Sequence, residues 1–190
     1  MGKRSDLERR PMDFYSTPYE AVLPLLAHLP VDTTFCEPCA GEGHLIRHLE
    51  RHGHRCVASY DADAGSPYTH HDAAFLSQED VAGATHIITN PPWARPVLHQ
   101  LIERCSMLAP TWFLFDADWM FTKQARPYLN RCHLVVSVGR VKWFGNAVGK
   151  DNCCWYKFHS PTNQTRFVND PPSISTARTR QDRSLDQAHD

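Results

Sequence analysis

The chain has 190 residues, 42% of them hydrophobic, and a formal net charge of −1. That length and apolar content fit one globular domain and exclude a disordered or fibrous chain, while the near-neutral charge excludes a whole-molecule polycation. Seven irregularly spaced cysteines argue against a disulfide framework, and no run approaches the ~20 apolar residues that span a bilayer. The charged start, Met1-Gly2-Lys3-Arg4-Ser5-Asp6, has no apolar segment behind it. No secretory signal is therefore expected, and a cytoplasmic, non-membrane protein is.

Residues 1–13 read as an N-terminal arm and 14–159 as one domain. Helical spacing over 18–29 precedes a β-branched and aromatic run at 33–36, which predicts the first strand. That strand leaves through Phe35-Cys36-Glu37-Pro38-Cys39-Ala40-Gly41-Glu42-Gly43, and helical spacing resumes over 43–52. Small residues at 40, 41 and 43 let a ligand approach the backbone, and Gly41 and Gly43 accept positive φ. The turn lies where a dinucleotide fingerprint would, but it lacks the third glycine. Glu37 and Glu42 would repel a pyrophosphate but not a cationic amino-acid group. Cys36-x-x-Cys39 has no partner pair for zinc. Cys153 and Cys154 sit in a predicted strand and point to opposite faces, so no metal is expected.

The second predicted strand, 55–60, ends at Tyr60-Asp61, eighteen residues after Gly43. A doubly wound fold places an acid there on a ribose diol. Asp72 follows a short segment at 66–71, where a carboxylate can accept from an exocyclic amine and Phe75 could cover a ring. Each acid alone reads as solvated. Glu37, Asp61 and Asp72 at successive strand ends, followed by Asn90, together mark a ligand site.

The apolar run at 84–89 predicts a buried strand, and Asn90-Pro91-Pro92-Trp93 ends it, since two prolines cannot continue a ladder. The exit presents an amide, backbone carbonyls and a large aromatic face, groups suited to a flat heteroaromatic amine. A helix is expected over 94–108, with Val97, Leu98, Leu101, Ile102 and Cys105 on one face. A strand at 111–115, a helix at 122–130 and strands at 134–138 and 153–158 follow. Strands alternating with helices predict βαβ units and a parallel, doubly wound sheet, with ligands beyond the carboxyl ends of the strands.

Residues 121–150 carry Lys123, Arg126, Arg131, Arg140, Lys142 and Lys150 and no acid. Within them Gly139-Arg140-Val141-Lys142-Trp143-Phe144-Gly145 interleaves basic and aromatic residues, which suits phosphate contact plus base stacking. It equally fits a strand pair with Trp143 packed inward. From 160 to 190 the chain is polar and Pro/Ser/Thr-rich, and reads as a mobile tail.

These motifs resemble class I methyltransferases that use S-adenosylmethionine, specifically the N6-adenine DNA type. Glu37-Pro38-x-Ala40-Gly41-x-Gly43 is similar to the family's cofactor loop, and Asn90-Pro91-Pro92-Trp93 to its catalytic tetrapeptide, whose last position is usually Tyr or Phe. Phe14-Tyr15-Ser16-Thr17-Pro18 resembles the segment that closes over the methionine end. This order of segments is found in a subgroup of these enzymes and in small methylases of bacteriophages. The resemblance covers about residues 14–158 and implies a single α/β, mostly parallel seven-stranded sheet with an antiparallel last strand.

It further implies roles residue by residue. The Gly41/Gly43 backbone, with Glu37, Pro38, Ala40, Tyr15 and Thr17, would cradle the methionine part. Asp61 would hold the ribose, Asp72 the adenine amine, and Phe75 would cover the ring. Asn90 and Pro91 would accept the N–H bonds of the target amine beside Pro92 and the cofactor, and Trp93 would stack on an extruded base. Lys123, Arg140, Lys142 and Trp143 would contact the nucleic acid, DNA ahead of RNA. Asn at the first motif position favours adenine over cytosine. Methylation of a protein glutamine usually needs an additional domain.

Overall fold

The computed structural model describes residues 16–143, 152–162 and 164–169. The arm at 1–13, Tyr15, Phe144, Gly145 and Lys150 lie outside the described residues. The most apolar runs form the middle of one sheet. β4 (His86–Thr89) is buried along its whole length, and β5 (Thr111–Asp116) at every residue but the last. β1 (Thr34–Glu37), β2 (Arg55–Asp61) and the two-residue β3 (Thr69–His70) extend the sheet to one side. β7 (Asn152–Phe158), β6 (Cys132–Arg140) and β8 (Arg166–Val168) extend it to the other. The order is β3-β2-β1-β4-β5-β7-β6-β8.

Neighbours from β3 through β5 pair in parallel, and β7 is antiparallel to both β5 and β6. The doubly wound, mostly parallel sheet expected from the alternation of runs is therefore the sheet observed. Among the described residues it has eight strands rather than seven, and the antiparallel strand is β7. The last strand, β8, lies parallel to β6 in a stretch read from composition as tail. An Arg-Phe-Val triplet gives no periodic signal of its own. It becomes a strand because the outer edge of β6 offers unpaired backbone groups.

Alternation along the central strands builds two cores, one on each face. Trp112, Leu114, Cys153 and Trp155 face α1 (Tyr19–Leu26) and α2 (His44–Glu50). Phe113, Phe115, Cys154 and Tyr156 face α3 (Arg95–Leu108), which presents Leu98, Leu101, Ile102 and Cys105. The helix expected over 122–130 is instead a 3₁₀ turn, Lys123–Ala125, followed by the single turn α4 (Arg126–Leu129). Pro127 explains the break, because it has no N–H to bond back to residue 123.

This topology lines up one edge of the sheet chemically. Along the carboxyl ends run Asp72 after β3, Asp61 at the end of β2, the glycine turn after β1 and Asn90 after β4. Asp116 ends β5, and Arg140 ends β6. Acids occupy the β3–β1 half, exposed cations the β6 half, and Asn90 stands between them.

Candidate active site

A cleft opens at this edge. Its walls include Glu37, Pro38, Ala40 and Gly41 from the β1 exit, Asp61 from β2, Asp72 and Asn90. Thr17 and Pro92 line it as well, so residues far apart in the chain meet in one place. All seven cysteines are free, and burial holds the Cys39 thiol at the cleft well above its usual range. Among the described residues no group of three His, Cys, Asp or Glu could hold a metal ion.

Glu37 is 1% exposed. Its Oε1 accepts from the Cys39 amide at 3.2 Å, while the buried Oε2 has no hydrogen-bond partner. Burial pushes the carboxyl up to about 8, offset only in part by that amide and the nearby Thr89 hydroxyl. A buried carboxyl oxygen without a well-formed hydrogen bond is costly.

The glycine turn is braced from the β2 side. Asp61 Oδ2 accepts from the Gly41 N–H at 2.6 Å, and its Oδ1 from the Asp63 N–H at 2.8 Å. Ser66 Oγ donates to the Gly41 carbonyl at 2.9 Å, so both backbone groups of Gly41 are held. Gly41 and Gly43 have φ of 54° and 75°, the left-handed region where glycine carries no penalty. Tyr68 covers the turn so closely that a Cβ on Gly43 would lie 1.8 Å from its hydroxyl oxygen. Gly43→Ala should therefore lower stability by about 1–3 kcal/mol, from φ strain plus displacement of Tyr68. Thermal melts of Gly43→Ala and of Gly43→Ala/Tyr68→Ala would check this, the second change recovering the steric part only.

Asp72 lines the cleft and caps the 3₁₀ turn Ala73–Phe75, its Oδ1 accepting from the Ala74 N–H at 2.9 Å. Phe75, expected to cover a ring, is 71% exposed and does not line the cleft, whereas its neighbour Ala73 does. Pro91 is buried. Trp93 is half-buried, and its indole N–H is shared between Asn90 Oδ1 at 3.3 Å and the Leu114 carbonyl at 3.2 Å. Its ring meets Trp143 edge-on, with centroids 5.5 Å apart. Trp143 thus packs inward against the tetrapeptide. Lys123, Arg140 and Lys142 are exposed outside the cleft, toward the β5–β6 side.

Sequence reasoning missed several contributors. Ser16 stands at the mouth and donates to Glu42 Oε2 at 3.4 Å, and Val97 and Leu101 of α3 supply an apolar wall. Ser66 and Tyr68 brace the glycine turn from 23 or more residues away, and no local pattern announces that. Arg95, two residues past the tetrapeptide, pairs with Asp116 at 2.6 Å and ties the motif's exit to β5.

No protein-family model and no curated protein matches this sequence. Among solved structures, the fold is similar to the methyltransferase subunit of a type I restriction-modification system from Streptococcus thermophilus. The TM-score is 0.56 at 11% identity, over 82% of this chain and 47% of that one. It is also similar to a dimethyladenosine transferase from Plasmodium falciparum, with TM-score 0.50 and 15% identity over 78% of this chain and 62% of that one. A Pyrococcus horikoshii protein assigned as an RNA methyltransferase gives TM-score 0.52 and 16% identity, over 84% of this chain and 95% of that one. The chain spans about half the length of the first of these and most of the last. At such identities the likeness is one of fold, and the eight-stranded sheet is the Rossmann-like architecture of these methyltransferases.

Proposed function

We propose that the chain is an S-adenosylmethionine-dependent methyltransferase acting on the N6 amine of adenine in DNA. The observation that carries this reading is the meeting of Asn90 and Pro92 with Glu37, Asp61, Asp72 and Gly41 around one cleft. The residues present fit the cofactor. Glu37 Oε2 is a buried acceptor in need of a donor such as an ammonium. Asp61 and Asp72 each have lone pairs beyond their backbone bonds for hydroxyl and amine donors. Bound there, the cofactor supplies an electrophilic methyl group.

What the chain adds is position. An exocyclic amine is a poor nucleophile because its lone pair is delocalised into the ring. Asn90 Oδ1 and the Pro91 carbonyl accept its two N–H bonds, which favours a pyramidal nitrogen with a localised pair. No tuned general base is needed beforehand, since the proton becomes acidic only when the nitrogen turns cationic. Placed dipoles and orientation carry most of the effect. The Trp93 N–H on Asn90 Oδ1 orients the amide.

The substrate lies on the cationic half of the edge in this reading. Arg140→Glu with Lys142→Glu should weaken DNA binding by about tenfold or more and flatten its dependence on salt. Titration at three or more ionic strengths reads both quantities. N6-adenine methylation of RNA is the second reading, favoured by the match over most of an assigned RNA methyltransferase. Incubation with labelled S-adenosylmethionine and unmethylated DNA or RNA, then digestion to nucleosides, separates them. N6-methyldeoxyadenosine supports the first, label confined to ribonucleosides selects the second, and label only in protein removes both.

A further inference from the structure

Building on the cofactor reading above, we infer that His71, paired with Asp80, is a positioning residue for Asp61 and Asp72. Those two acids line the cleft; His71 and Asp80 do not. His71 is nonetheless tied to both acids. Its backbone N–H donates to the Asp61 carbonyl at 2.9 Å, and Asp72 is the next residue in the chain. Its ring meets Tyr60 edge-on, with centroids 5.4 Å apart, and its Nε2 stands 3.5 Å from Asp80 Oδ2. Asp80 is itself fixed. The Ser77 amide and hydroxyl each donate to its Oδ2 at 2.7 Å, and the Tyr60 hydroxyl donates to its carbonyl at 3.0 Å. Tyr60 closes the circuit, because it directly precedes Asp61. Its carbonyl also accepts from the Ala40 N–H of the glycine turn at 2.9 Å. A ring of contacts thus runs from Asp61 through Tyr60, Asp80 and His71 back to Asp61, with Asp72 attached at His71.

One link of that ring is incomplete. His71 Nε2 is shut off from solvent and makes no well-formed hydrogen bond, although a carboxylate oxygen lies 3.5 Å away. A ring nitrogen left in that state is costly. A proton relieves it, because the imidazolium donates from both nitrogens and pairs with the anion. The Ser77 hydroxyl and amide, and then His71, hold the Asp80 carboxyl below its usual range. Asp80 is therefore ionised where histidines titrate. The other titratable or charged groups on this segment are His70, Glu79 and the flanking Asp61 and Asp72. Against it pack Tyr60 of β2, Cys36 of β1, a thiol pushed up by burial, and α3, whose Arg104 donates to the Leu76 carbonyl. Protonation draws His71 onto Asp80 and, through the chain, steadies Asp61 and Asp72 for the hydroxyl and amine donors of the cofactor. This contribution is present at low pH and fades as the imidazole loses its proton.

The test measures S-adenosylmethionine affinity by calorimetry at pH 6 and pH 8 for wild type, His71→Ala, Asp80→Asn and the double variant. His71→Ala should weaken binding by about tenfold at pH 6 and about threefold at pH 8, the range for residues that act without touching the ligand. Asp80→Asn keeps an acceptor for Ser77 but removes the charge. It should weaken binding by about threefold at pH 6 and leave it near wild type at pH 8. The double variant should bind no worse than His71→Ala, because the two residues act as one unit. Asp80→Asn, nearly unchanged in shape, carries the test alone if melts show that His71→Ala does not fold. Losses equal at the two pH values, or losses that add in the double variant, give His71 an ordinary packing role and overturn the inference. Affinity unchanged in both single variants, while wild type binds the cofactor, also overturns it and leaves the proposed function standing. If wild type binds no S-adenosylmethionine, the proposed function fails first and takes this role of His71 with it.

Discussion

Asn90→Ala is expected to fold, to bind S-adenosylmethionine within a few-fold of wild type, and to lose at least about 100-fold in turnover. The Trp93 indole donates to Asn90 Oδ1 and has a second acceptor in the Leu114 carbonyl at 3.2 Å. Removing the amide leaves the Trp93 N–H paired with that carbonyl, and the melting temperature should move by no more than a few degrees. What disappears is the acceptor that localises the nitrogen's lone pair. Single-turnover rates with saturating cofactor, beside cofactor affinity by calorimetry, separate the two effects. A variant that methylated at a rate comparable to wild type would falsify the amine-clamp mechanism.

Glu37→Gln carries the second large effect, and it runs in two opposite directions. Burial holds the carboxyl at about 8 in the folded protein against an ordinary value of 4.5. Between those values the native state keeps a proton that the unfolded chain releases. Stability therefore falls as pH rises through that interval and levels off above it. Glutamine removes the ionisation, so the variant should be more stable than wild type at pH 8.5, by an amount on the order of a few kcal/mol, and the gain should shrink toward pH 5. Cofactor affinity should change the other way. The carboxylate that is costly in the empty cleft is the partner for the ammonium, and truncating one member of such a pair weakens binding by about 100-fold. Wild-type affinity should rise with pH up to about 8, as Glu37 ionises, and the variant should lose that part of the profile. Melts and binding isotherms across pH 5–9 read both curves. A wild-type affinity flat over that range would remove Glu37 from cofactor binding.

The parts of the molecule that sequence made legible are those whose chemistry is written in single residues. Glu37, Asp61, Asp72 and Asn90 stand out as polar groups at the ends of apolar runs, and the glycine turn stands out by the side chains it lacks. Their convergence followed from topology, because a parallel sheet places all its strand exits on one edge. The less legible parts depend on partners distant in the chain. Ser66 and Tyr68 are ordinary turn residues until Gly41 and Gly43 lie beneath them. Trp93 read as a stacking face, but its N–H is what engages Asn90, a contact that Tyr or Phe at that position cannot make through a ring nitrogen. Phe75 was placed over a ligand by its nearness to Asp72, yet the capped 3₁₀ turn points it outward and leaves Ala73 at the cleft. β8 is invisible locally because its stability is borrowed from the edge it covers.

The Trp155 indole N–H donates to the Ala21 carbonyl at 2.7 Å, joining β7 to α1 across 134 residues of sequence. Ser16 and Thr17, at the mouth of the cleft, enter that helix through Pro18. A chain emerging from the ribosome acquires the glycine turn, the acids and the Asn-Pro-Pro segment well before it can seat α1 against β7. The recognition parts are thus translated before the strand that bonds α1 to the sheet. Until residue 155 is available, the nascent protein lacks this bond between α1 and the sheet.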